Sequence, residues 1–134
     1  MSEQIVIDGK DYVLGRLASY AAKQSLLGKS IVIVNCDDVI VAGNKANIIH
    51  EYYAIRKKGG ASLKGPFFPK QPFRIVKRTV RGMLSYKETR GAEALKRVMC
   101  YDNTPKEYES AKKISVKNEK TTFTIKLSDL AKYI

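Results

Sequence analysis

A chain of 134 residues, 44% hydrophobic and 28% charged, has the size and composition of one globular domain with a core that needs no staples. No apolar run approaches the roughly 20 residues that span a bilayer, and the opening Met1-Ser2-Glu3-Gln4 lacks the basic segment of a secretory signal, so neither is expected. The net charge is +12, from 25 basic and 13 acidic residues, and it is unevenly spread. Residues 1–50 are balanced and residues 101–134 nearly so, whereas residues 51–100 hold thirteen Lys and Arg against Glu51, Glu88 and Glu93. A uniformly solvated surface does not segregate charge in this way, but a phosphate-binding face requires it. The basic segment also lacks the apolar face of a helix that lies on a membrane.

In chain order, Ile5-Val6-Ile7 reads as a short buried strand ended by the turn pair Asp8-Gly9. Leu14, Leu17, Ala18, Ala21 and Ala22 recur at helical spacing, with Gly28 placed as a C-terminal cap. Ile31-Val32-Ile33-Val34 is continuous rather than alternating, the mark of a strand covered on both faces. Strand, helix and strand within about 30 residues form a βαβ unit, expected to be right-handed. Val39-Ile40-Val41 predicts a third strand, and a helix from about Lys45 turns Ile48, Ile49, Tyr52 and Tyr53 towards the core. Residues 57–73 break every period with three glycines and three prolines, which predicts a long basic loop. Helices follow near 74–84 and 90–99. A strand is expected at 114–116, then another through Phe123, Ile125 and Leu127, with Ser128 or Asp129 capping a last short helix. The class is α/β, in one domain over residues 1–134 with the loop 57–73 inserted and a C-terminal strand and helix within 114–134.

The helix near 74–84 carries the most information. At about 100° per residue, Arg74, Lys77, Arg78 and Arg81 share an arc of about 100°, with Val76, Val80, Met83 and Leu84 roughly opposite. Helices that merely face water mix signs for i,i+4 pairing, and this arc holds no carboxylate. Three of its cations are arginines, whose planar fork grips two phosphate oxygens at once. The loop adds Lys57, Lys58, Lys64 and Lys70 with Phe67, Phe68 and Phe73, a composition suited to unstacked bases and phosphates. Fully extended it spans at most about 55 Å, against a domain radius of gyration of about 14 Å, so it is long enough to leave the globule and enter an RNA crevice. The phenylalanines either stack on bases or tuck back onto the core. With its glycines, prolines and like charges, the loop is expected to exchange its amides quickly in the free protein and slowly on RNA. Slow exchange in the free protein would contradict this.

Several patterns lead nowhere. Gly28-Lys29-Ser30 resembles the end of a phosphate-binding P-loop, but Lys23 stands where its first glycine belongs and a strand follows where a helix is needed. Gly9 and Gly15 do not complete a dinucleotide fingerprint. Asp37 and Asp38, with only His50 elsewhere, make a polar turn rather than a metal site. Cys36 and Cys100 lack metal-site spacing and are expected as free thiols in a reducing cytoplasm. No nucleophile, base and orienting group assemble, so no catalytic residue, cofactor, metal or small-molecule substrate is expected.

Two stretches resemble a known family. Asp8-Gly9, Leu14-Gly15-Arg16-Leu17-Ala18-Ser19, Gly28-Lys29 and Val34-Asn35 look like the opening of ribosomal protein thirteen of the large subunit. Arg78-Thr79-Val80-Arg81-Gly82-Met83-Leu84, then Lys87, Arg90-Gly91, Ala94-Leu95 and Arg97, resemble that family's most characteristic stretch, and the basic loop is similar to its archaeal and eukaryotic branch. Ser85 and Asn103 depart from the proline and glycine of the family pattern, both at turns. The resemblance implies a three-layer α/β/α core on a mostly parallel four-stranded sheet. It also implies binding to large-subunit ribosomal RNA, neighbouring ribosomal proteins as partners, a part in subunit assembly and a cytoplasmic place in the large ribosomal subunit. Carried over by position, it points to Arg56, Lys57, Lys58, Arg74, Arg78, Arg81, Lys87 and Arg90 as RNA-facing. A free-standing RNA-binding regulator is the alternative reading, and a nucleotide-handling α/β enzyme is a third.

Overall fold

The computed structural model describes residues 4–57, 70–115 and 124–133. In chain order the elements are β1 (Gln4–Asp8), α1 (Leu14–Leu26), β2 (Ser30–Val34), β3 (Ile40–Ala42), α2 (Lys45–Lys57), α3 (Pro72–Gly82), α4 (Thr89–Lys96), β4 (Val98–Cys100), β5 (Lys113–Ile114), β6 (Thr124–Lys126) and α5 (Leu127–Tyr133). Four strands form one sheet in the order β4-β2-β1-β5, and every neighbouring pair is parallel. The unbroken apolar run of β2 follows from cover on both faces. Ile5, Ile7, Ile31 and Ile33 point into the main core with residues of α1 and α3, while Val6, Val32 and Val34 point the other way, against Tyr101, Tyr108 and Ala111. Alternate residues of one strand thus bury themselves in different layers. The second covering layer includes the short 3-10 turn Lys106–Tyr108.

Helix α1 buries Leu14, Leu17, Ala18, Ala21, Ala22 and Ser25 as one stripe. The buried Ser25 hydroxyl donates to the Ala22 carbonyl at 2.9 Å, which satisfies a polar group that would otherwise cost stability. The helix ends on Gly28 at φ +95°. The Gly28 amide donates to Ser25 O and the Lys29 amide to Gln24 O, the paired bonds that close a helix through a left-handed residue. Only glycine adopts that conformation without a Cβ penalty.

Four local readings change. The expected helix over 90–99 stops at Lys96, and Val98–Cys100 instead adds a parallel strand beside β2. Val98 is fully buried there, and the Ile31 amide donates to Arg97 O at 2.8 Å, so long-range pairing overrides the local period. Helix α3 starts at Pro72 rather than Arg74; proline suits the first helical turn, where no intrahelical acceptor is available to its missing N–H. The last strand ends at Lys126, and α5 begins at Leu127, before Ser128 and Asp129. Strand β3 pairs antiparallel with β6 in a separate two-stranded sheet.

Met83 is a further change. It lies beyond the last helical residue of α3, where the helical wheel no longer applies, and it is 45% exposed. Its sulfur accepts from the Ser19 hydroxyl at 3.5 Å. Val76 and Val80 are fully buried and Leu84 nearly so. Met83→Ala is therefore expected to lower stability by less than about 1 kcal/mol, and Val80→Ala by about 2 kcal/mol through the cavity left behind. Urea unfolding of the two variants side by side checks the ranking.

Candidate nucleic-acid interface

Helix α3 builds the candidate surface. Ile75, Val76 and Val80 seat it on the core, and residues later in the sequence hold it at its N-terminus and along its flank. At its N-terminus the Phe73 amide donates to the Asp102 carboxylate at 2.9 Å, a charged acceptor where the helix dipole favours one. Along its flank the Lys77 ammonium donates to the Leu95 carbonyl at 2.8 Å and to that of Val98. Lys77 is half-buried, and that burial lowers its pKa from the usual lysine value, partly offset by Cys100 nearby. Its charge is spent on tying α3 to the end of α4 and the start of β4. Lys77 thus leaves the exposed arc expected from spacing alone, because α4 and β4 present it with carbonyls that no wheel records.

The remaining arc is open. Arg74 and Arg81 are exposed and Arg78 half-buried. Arg74 and Arg81 rest on aromatic rings: the Arg74 guanidinium stands 5.9 Å from the Phe73 ring centroid, and that of Arg81 stands 5.1 Å from Tyr86. Such contacts steady a planar cation without consuming its hydrogen-bond donors. Phe73 itself is half-buried and packs against the core, which decides its case in favour of tucking back.

Beyond α3, the turns of residues 83–88 carry Lys87 and lead to Arg90 in α4, both exposed, and Lys70 lies exposed just ahead of Pro72. Ser85, where the family pattern has proline, accepts the Glu88 amide through its carbonyl at 2.9 Å. Tyr86 was not legible as a site residue, although an aromatic between Arg81 and Lys87 in a basic stretch was the available signal. Arg56 and Lys57 close α2, but their side chains lie outside the described residues, as do Lys58, Lys64, Phe67 and Phe68. Among the described residues no group of three or more His, Cys, Asp or Glu is placed to hold a metal. Asp37 and Asp38 lie in the 3-10 turn Cys36–Asp38. Burial and the neighbouring Asp102 and Asp38 raise the Asp37 pKa above the ordinary carboxylate value.

An α/β core that seats a helix with a carboxylate-free cationic outer arc defines a basic, surface-presenting module. The model of the family Ribosomal protein L13 matches residues 2–107. The chain is 44% identical over 117 residues to the large ribosomal subunit protein uL13 of Methanococcoides burtonii, covering 87% of this chain and 84% of that one. It is 43% identical to the protein of that name from Picrophilus torridus, over 97% and 96% of the two chains, and 44% identical to that of Methanocaldococcus jannaschii, over 96% of each. The chain belongs to the ribosomal protein L13 family, a family of structural proteins, and is not an enzyme.

Proposed function

We propose that the chain is a structural constituent of the large subunit of the cytoplasmic ribosome, that it binds large-subunit ribosomal RNA, and that it supports subunit assembly beside neighbouring ribosomal proteins. One observation carries the binding mode: Arg74, Arg78 and Arg81 share the outer arc of a helix whose inner arc is sealed in the core. Lys70, Lys87 and Arg90 extend the surface to either side, and the sequence ahead of them adds Arg56, Lys57, Lys58 and Lys64 as candidates. The mechanism is electrostatic clamping. Cations held on a rigid core neutralise phosphates where RNA strands crowd together, and the core fixes their spacing. No base-edge reader is needed for this, because the shape of the folded RNA supplies the specificity.

A titration against salt tests the clamp. If about six cations neutralise phosphates, affinity for a ribosomal RNA fragment drops on the order of a thousandfold between about 50 and 200 mM salt. A nearly flat response would exclude the mechanism. Co-sedimentation with large subunits through a high-salt gradient tests residence in the ribosome, and a protein left at the top of the gradient would favour a free-standing regulator.

A further inference from the structure

The two cysteines stand far apart in sequence, and the fold brings them together. Cys100 pairs with Ile33 in the parallel register of β4 and β2. The Tyr101 amide donates to Ile33 O at 2.8 Å, and the chain then turns through Asn35 (φ 57°) so that the Cys36 amide donates to Tyr101 O at 3.1 Å. The Cys36 thiol folds back over the same ladder and donates to the Ile33 carbonyl at 3.8 Å, the carbonyl that also accepts the Tyr101 amide next to Cys100, and both cysteines pack into the main core. Both are free thiols.

Their surroundings differ. Cys36 is fully buried, whereas Cys100 is partly exposed. The neighbouring Cys100 thiol, then burial, push the Cys36 thiol well above the ordinary cysteine range, which makes it the poorer entry point for a peroxide. The Lys77 ammonium, fixed on the Val98 carbonyl, is within electrostatic reach of Cys100. Reactive thiols are those that solvent reaches and a cation faces.

We propose that Cys36 and Cys100 are an oxidation site at which a small hydroperoxide converts the pair to an internal disulfide, with Cys100 attacked first and Cys36 resolving it. In the first step the Cys100 sulfur takes the terminal oxygen of the peroxide and becomes a sulfenic acid, while the peroxide O–O bond breaks and water or an alcohol leaves. In the second, the Cys36 sulfur attacks the sulfenic sulfur. The S–S bond forms as the S–O bond breaks, and the thiol proton leaves with the hydroxide as a second water. Two thiols are oxidised by two electrons in total, and one peroxide is reduced. The product clips the end of β2 to β4 and closes covalently the loop that contains α2, the basic loop and α3. The proposal is independent of RNA binding.

Hydrogen peroxide added to the folded full chain, followed by alkylation and peptide mapping without reduction, tests it. A linked Cys36–Cys100 peptide pair is expected, formed at a rate independent of protein concentration, undone by dithiothreitol and accompanied by a higher Tm. Two thiols that stay alkylatable, a sulfinic acid at Cys100 without a link, or links only between chains would each overturn the proposal. The order of attack is read from Cys100→Ser, a substitution at the partly exposed position. Cys36 should then resist peroxide at the dose that converts the parent chain, and oxidation of Cys36 at the parent rate would overturn the assignment of Cys100 as the entry sulfur.

Discussion

Arg74→Glu combined with Arg81→Glu is expected to weaken binding to a ribosomal RNA fragment by more than about a hundredfold while leaving the fold in place. Both side chains lie on the exposed arc of α3, so neither substitution opens a cavity. Each loses one contact of a guanidinium with a ring, to Phe73 and Tyr86, and an exposed contact of that kind contributes about 0.5–1 kcal/mol. The stability change should therefore stay within about 2 kcal/mol. Against phosphate the balance is different, because two attractions become two repulsions. Like charges brought together at an interface cost several kcal/mol, and about 3 kcal/mol already exceeds a hundredfold in affinity. Thermal melts and RNA titrations on the same preparation separate the outcomes. Early melting would mean that the arc belongs to the core, and parental affinity would mean that it does not meet RNA.

The second large effect is expected from a single methyl group. Gly91 is buried in the first turn of α4, and a Cβ built on it would run into the carbonyl of Ser85, with the Ser85 Cα only 3.0 Å away. The obstacle is backbone, held by the Glu88 amide that donates to that same carbonyl, so no side-chain rotation relieves it. Gly91→Ala should lower stability by about 3 kcal/mol, the upper part of the usual range for overpacking. That is a large share of the roughly 5–15 kcal/mol that holds a small protein folded. The urea midpoint should fall at unchanged slope, and a midpoint that stays in place would show that the turn at 83–88 yields freely. Because the turn carries Lys87 and leads to Arg90, RNA affinity should fall even where the variant remains folded.

The features legible in the sequence were those fixed by local chemistry. The spacing of Leu14, Leu17, Ala18, Ala21 and Ala22 defined α1, and the continuous run of β2 announced a doubly covered strand. The arginines and the valines of α3 separated as the helical period assigns them, Arg74 and Arg81 outside and Val76 and Val80 inside. What escaped was set by partners distant in sequence. Val98-Met99-Cys100 is too short to declare itself a strand, and it becomes one because β2 offers an open edge. Lys77 has the spacing of an exposed cation, yet the carbonyls of Leu95 and Val98 claim it. Met83 shows how narrow the limit is: one residue past Gly82 the helical period ceases to assign faces.

The two sheets pair early strands with late ones, and this governs how the protein is made. Val6 bonds in register with Lys113, and Ala42 with Thr124. During synthesis the first strands therefore emerge long before all their neighbours exist, and closing such distant pairs is slow. The arginines of α3 are translated ahead of Leu95, Val98 and Asp102, which anchor its N-terminus and flank. Until Leu95, Val98 and Asp102 have followed, Lys77 lacks its acceptors and the Phe73 amide lacks its carboxylate. A nascent chain halted before Val98 would carry a full complement of positive charge on a helix without these late anchors, attractive to any nearby nucleic acid and selective for none.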